Sequence, residues 1–166
     1  FFDFLIAIYL PFLKWRRDAT VRDKEIISLL HKKCIALGNT NPEEFFFQTF
    51  YAVNRITKFD MTKIENGAGI IASASVLFSW TGISFALSRR VLQFVKDKID
   101  KSDVKSVLYY KLCQSIFSCT SGNWPEEIEF DHHLIDKNLA LGESFFAPTY
   151  IVWNLAYYAA RGNFSS

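Results

Sequence analysis

The chain has 166 residues, half of them apolar and 17% aromatic, with a formal net charge of +2. That supplies one sizeable core or a short array of repeated units, and it excludes a disordered or disulfide-stapled chain. Charges of both signs are scattered along the length with no basic block to neutralise a phosphate backbone, so nucleic acid is not expected as a partner.

In chain order, the opening FFDFLIAIYLPFL is apolar but interrupted by Asp3 and Pro11, too short to span a bilayer and without a small-residue cleavage site. It predicts a first helix over 2–15. A second helix is expected over 20–37, ending at Gly38, and LGNTNPEEF then supplies helix-start chemistry: Asn41 to cap, Pro42 in the first turn, Glu43 and Glu44 at the positive end. The third helix runs over 42–58. Between Phe59 and Asn66 there is no room for a further helix, so an irregular connection over 60–67 is expected.

Residues 68–88 carry no charge, which invites a membrane-spanning reading. Serines and threonines dilute the stretch, and Thr81-Gly82 falls where a turn is expected, so two short buried helices are predicted over 65–80 and 84–99. Membrane insertion is not expected. Further helices are predicted over 103–120, 124–141 and 146–161. No alternating strand pattern bounded by hairpin turns occurs, and the fold class is all-α.

Glycine recurs at Gly82, Gly122 and Gly162, forty residues apart. In SGNWPEE the glycine closes one helix, Asn123 caps the next, Pro125 fits its first turn and Glu126 and Glu127 favour its start. ALG at 36–38 and at 140–142 marks equivalent helix ends. Counting back from each glycine of the beat, one face carries Ala72, Val76 and Ser79, then Leu112, Ile116 and Cys119, then Val152, Ala156 and Ala159, small and largely apolar residues suited to packing inside a hairpin. A bulky row of Leu77, Phe117 and Tyr157 is expected to pack on neighbouring helices. The nearly opposite face carries Ile70, Ala74 and Phe78, then Tyr110, Gln114 and Ser118, then Tyr150, Asn154 and Tyr158.

A helix pair on this beat, with glycine followed two places later by an aromatic at the joint, resembles the tetratricopeptide repeat and its longer relatives. Tyr158, Gly162 and Phe164 stand at that family's spacing, and Gly122 with Trp124 matches in part. Ser118, Leu155, Ser115 and Glu127 depart from the family pattern, and its usual period is about thirty-four residues. The resemblance covers 68–166, with 1–59 a more degenerate helical region. It implies stacked antiparallel helical hairpins, an α-solenoid, of the kind found beside ATPase, cyclase or kinase domains in large signalling proteins, where such arrays bind partners or relay regulation. An opening on Phe1 and an end at Ser166 are expected to mark a segment of a longer chain in which the beat continues.

On this reading the chain is not an enzyme and needs no cofactor or metal. Its partners are a protein or peptide and neighbouring domains. Partner contact is assigned to the aromatic and amide stripe Tyr110, Gln114, Tyr150, Asn154 and Tyr158, because tyrosines give rigid contact area and amides bond an extended backbone. Other chemistries are weaker. Asp131-His132-His133 resembles the triplet of metal-dependent phosphoesterases, but it is read here as mid-helix, with Trp124, Ile128, His132, Ile135 and Leu139 on one packed stripe and His133 and Asp131 outward. His31 and Cys34 share a helix face without a third group to orient the imidazole. No nucleotide or hydrolase signature occurs. Three cysteines without CxxC spacing fit a reducing cytosol. A fragment of a helical membrane protein and a small helical enzyme or ligand-binding bundle are the alternatives.

Overall fold

A computed structural model describes residues 2–11, 16–38, 40–122 and 130–162 of the protein, and over these it is all-helical. Eight α-helices and one short 3-10 turn form among the described residues, with an isolated bridge between Arg17 and Phe59 and no strand.

Helix α1 (Phe2–Tyr9) is shorter than the 2–15 expected. Pro11 explains the stop, since proline pushes the residue before it out of the helical region. Helix α2 (Val21–Gly38) opens on a reciprocal cap: Thr20 N donates to Asp23 Oδ2 at 3.2 Å, and Asp23 N donates to Thr20 Oγ1 at 3.2 Å. Helix α3 (Pro42–Ile56) starts as its sequence requires, with Asn41 accepting from Glu44 N at 3.1 Å. The connection that follows is a 3-10 turn, Met61–Lys63, capped by Asp60, and it buries Phe59, Met61 and Ile64.

The uncharged stretch at 68–88 is two helices, α4 (Gly67–Trp80) and α5 (Phe85–Lys96), as its dilution by serine predicts. The Ser84 hydroxyl caps α5 by accepting from Leu87 N at 3.1 Å. Helices α6 (Val104–Ser121), α7 (His132–Ala140) and α8 (Phe146–Ala160) complete the fold. Gly82, Gly122 and Gly162 have φ of 69°, 64° and 71°, so the three glycines of the beat make the same left-handed bend. Gly142 makes it too, whereas Gly38 does not, so the two ALG ends differ.

Helix α7 corrects an expectation. Asp131 caps it, accepting from Leu134 N at 2.9 Å, because a short carboxylate at that place satisfies an otherwise orphaned N–H. The Asp-His-His triplet therefore lies at a helix start, not mid-helix. His132, His133 and Leu139 are exposed, and the buried side is Leu134, Ile135 and Asn138. Trp124, Ile128 and the proposed caps of residues 123–127 lie outside the described residues, as does Phe164.

Packing follows from these elements. Helix α4 is buried from Gly67 to Ser79, with α5 and α6 against it, α3 on its other flank, and α8 lying on α6. Helix α5 runs antiparallel to α4, with Ser84 N donating to Phe78 O at 3.3 Å and Ser88 Oγ to Ser75 O at 2.8 Å. Helix α7 is antiparallel to α6, where Lys111 pairs with Asp131 at 3.0 Å and Asn138 Nδ2 donates to Val104 O at 3.2 Å. One apolar cluster extends from Phe4 to Tyr150. The bulky row Leu77, Phe117 and Tyr157 is buried within the bundle, as its size implied.

Candidate functional site

Phe45 and Phe46, from the triplet Phe45-Phe46-Phe47 near the start of α3, and the doublet Phe145-Phe146 at the start of α8 project into the same space. With Ile35 of α2, Val76, Leu77 and Trp80 of α4, Leu112 and Ile116 of α6, and Trp153 of α8, they line a cavity of about 590 Å³. Trp80 is 62% exposed, so the cavity reaches the surface beside it, where its ring meets Trp153 edge to face at 6.1 Å.

The lining is apolar in effect as well as composition. Ser73, Thr81 and Thr149 hydroxyls each donate at 2.6 Å to a carbonyl of their own helix or its cap: Ile70, Leu77 and Phe145. Burial pushes the Cys34 thiol up, so it stays protonated at neutral pH, and raises the Tyr109 hydroxyl far above the ordinary phenol range.

One wall is an aromatic stack. His31 lies parallel to Phe146 at 5.6 Å, and Tyr109 meets Phe146 at 4.3 Å. Burial lowers His31 to about 4, opposed by the charges of Glu143 and Glu65, and its Nε2 has no hydrogen-bond partner. A neutral ring held by stacking is no general base for Cys34. Behind this wall a second, polar cavity of about 370 Å³ contains Lys105, which bridges Glu65 and Glu143 at 3.0 Å each and so ties the start of α4 to the α7–α8 connection.

The aromatic and amide stripe is placed elsewhere. Tyr110, Tyr150 and Asn154 are buried in the core and do not face an open groove, while Gln114 and Tyr158 are half-buried. The physical reason is packing: Asn154 Nδ2 donates to Tyr150 O at 2.8 Å, and the Tyr150 ring stacks on Phe130 at 5.7 Å, so both side chains are turned into the bundle. Burial raises the Tyr150 hydroxyl to about 12. Of the residues that line the cavity, periodicity marks Val76, Leu77, Leu112 and Ile116 as packing positions but does not single out Trp80, Phe146 or Trp153. The signal available for Phe146 was the run of phenylalanines at the start of two helices, three at 45–47 and two at 145–146.

Among the described residues no group of three or more histidine, cysteine or acidic side chains converges, and no helix is long and apolar enough to cross a membrane. No protein-family model, curated protein or solved structure matches the chain.

Proposed function

We propose that the chain is a non-catalytic binding module, a tetratricopeptide-like array of helical hairpins whose open apolar cavity receives bulky apolar side chains of a protein partner, within a larger cytosolic signalling protein. The observation that carries this reading is the cavity itself: five helices contribute to it, and its serine and threonine hydroxyls are committed to carbonyls of their own helices or caps, leaving shape and apolar contact as its main offer. Equivalent bends at the three glycines and antiparallel hairpins at α4–α5 and α6–α7 support the array reading. Cys34, Cys113 and Cys119 as free thiols agree with a reducing compartment.

A volume of about 590 Å³ also falls in the range of small-molecule sites, roughly 300–1,000 Å³, which favours a ligand-binding bundle as second reading. Such sites carry a few convergent polar groups for orientation, and the serine and threonine hydroxyls of this lining are already engaged. Selection of displayed random peptides against the protein tests the first reading. Binders should share a pair of bulky apolar anchors and lose at least about tenfold in affinity on Thr149→Arg with the melting temperature unchanged. Binders indifferent to Thr149→Arg, or none at all, would remove the reading.

A further inference from the structure

The polar cavity of about 370 Å³ lies in line with the apolar one. It takes residues from Lys24 to Ile35 of α2 where the apolar cavity takes Cys34 to Gly38, Ile70 of α4 where the other takes Ser73 to Trp80, and Lys105 of α6 where the other takes Tyr109 to Ile116. Ile35 and Phe146 line both. One seam therefore runs beside α2, apolar toward the end of that helix and polar toward its start.

The charges of the polar cavity are unevenly committed. Glu65 and Glu143, the two carboxylates of its lining, are both held by Lys105 at 3.0 Å. Lys24 and Lys32, about two turns apart on one face of α2, have no ion-pair partner among the described residues, whereas Lys33 beside them pairs with Glu44 at 3.4 Å. Three lysines thus stand against two glutamates, and one positive charge is in excess. His31 Nε2, on the same lining, also lacks a hydrogen-bond partner. A carboxylate entering here would pair with the two free lysines and accept from that nitrogen.

We propose that the polar cavity is the second half of the partner site, taking an Asp or Glu side chain of the same peptide whose bulky apolar side chains enter the first. The inference rests on the reading of the apolar cavity as a partner site. Charge complementarity selects the occupant, since a neutral side chain would leave Lys24 and Lys32 unpaired and a basic one would be repelled. Helix α2 rises about 21 Å from Lys24 to Gly38, a length that about six extended residues cover, so the acidic residue should stand about three to five positions from the apolar anchors. It should lie on one side of them only, because the seam is polar at one end.

The displayed-peptide selection tests it, followed by titration of a selected peptide made synthetically. Binders should carry an Asp or Glu at the stated distance from their anchors. Lys24→Gln together with Lys32→Gln should weaken the synthetic peptide about three- to tenfold, the scale of one or two exposed ion pairs, with the melting temperature unchanged. Replacing the peptide's acidic residue by its amide should cost as much, and both changes together no more than either alone, because they break one contact. Lys96→Gln, exposed on α5 and outside the lining, should change nothing. Binders that Thr149→Arg weakens but that show no acidic preference, or whose lysine and peptide changes add, would overturn this inference and leave the apolar reading standing. Binders indifferent to Thr149→Arg, or none, would remove that reading and this inference with it.

Discussion

Helices α4 and α8 are eighty residues apart in one register, both uncharged and both apolar, yet α4 is buried on every side and α8 on one. Their polar side chains reflect the difference. The serines of α4, Ser73, Ser75 and Ser79, turn back onto the Ile70, Ala72 and Val76 carbonyls, the solution open to a hydroxyl surrounded by helices. Helix α8 instead carries Asn154 and its tyrosines on the inner side and leaves Val152 and Leu155 outside. Place in the bundle, and not hydropathy, decides what is covered.

The largest effects belong to the covered helices. Leu112→Ala on α6, buried where its register mate Val152 is exposed, should cost about 3 kcal/mol, within the range for emptied core leucines, read from the urea midpoint. Gly67→Ala should cost about 2 kcal/mol or more, because a Cβ there runs into the Met61 carbonyl oxygen, which is backbone and cannot turn aside. Ala147, its mate on α8, already carries the methyl that Gly67 lacks. A Gly67→Ala protein of unchanged stability would show that the entry to α4 is looser than its geometry.

Acid sharpens the same contrast at the base of α8, where His31 holds Phe146. Its pKa of about 4 lies below the ordinary 6.5, so the unfolded chain binds the proton first. The stability due to neutral His31 is complete above about 6.5 and is lost as pH falls toward about 4, amounting to about 3 kcal/mol. His31→Phe should keep the stack and flatten the urea midpoint between those pH values. An unchanged pH slope would mean that His31 titrates normally.

Legibility in the sequence divided along the same line. Helix starts and stops could be read at Asn41, Ser84, Gly82, Gly122 and Gly162, because a cap or left-handed bend is fixed by a few adjacent residues. Faces could not. Tyr110, Tyr150 and Asn154 look like a binding stripe by residue type, but the neighbour that covers them, and the carbonyl that takes the Asn154 amide, are properties of the packed state. Asp131 shows the opposite case: inside an apolar periodicity an acidic residue reads as an outward helical position, yet its cap bond starts the helix. The cavity is not legible in the sequence because its lining comes from five helices, each contributing three or four residues.

Turn substitutions should matter less. Gly82→Ala should cost about 1 kcal/mol, all of it backbone, because nothing lies within reach of the added methyl and only its φ of 69° opposes it. Gly122→Ala should cost a similar amount, the two bends being equivalent. A cost at one and not the other, in thermal unfolding, would break the equivalence on which the register rests.

The smallest effect is the most discriminating. Val152→Ala removes two methyl groups from a side chain 62% exposed, so in dilute solution it should change stability by less than about 0.5 kcal/mol, against about 3 for its mate Leu112. A full cost in the dilute monomer would place Val152 inside a core, and α8 would then be as enclosed as α4.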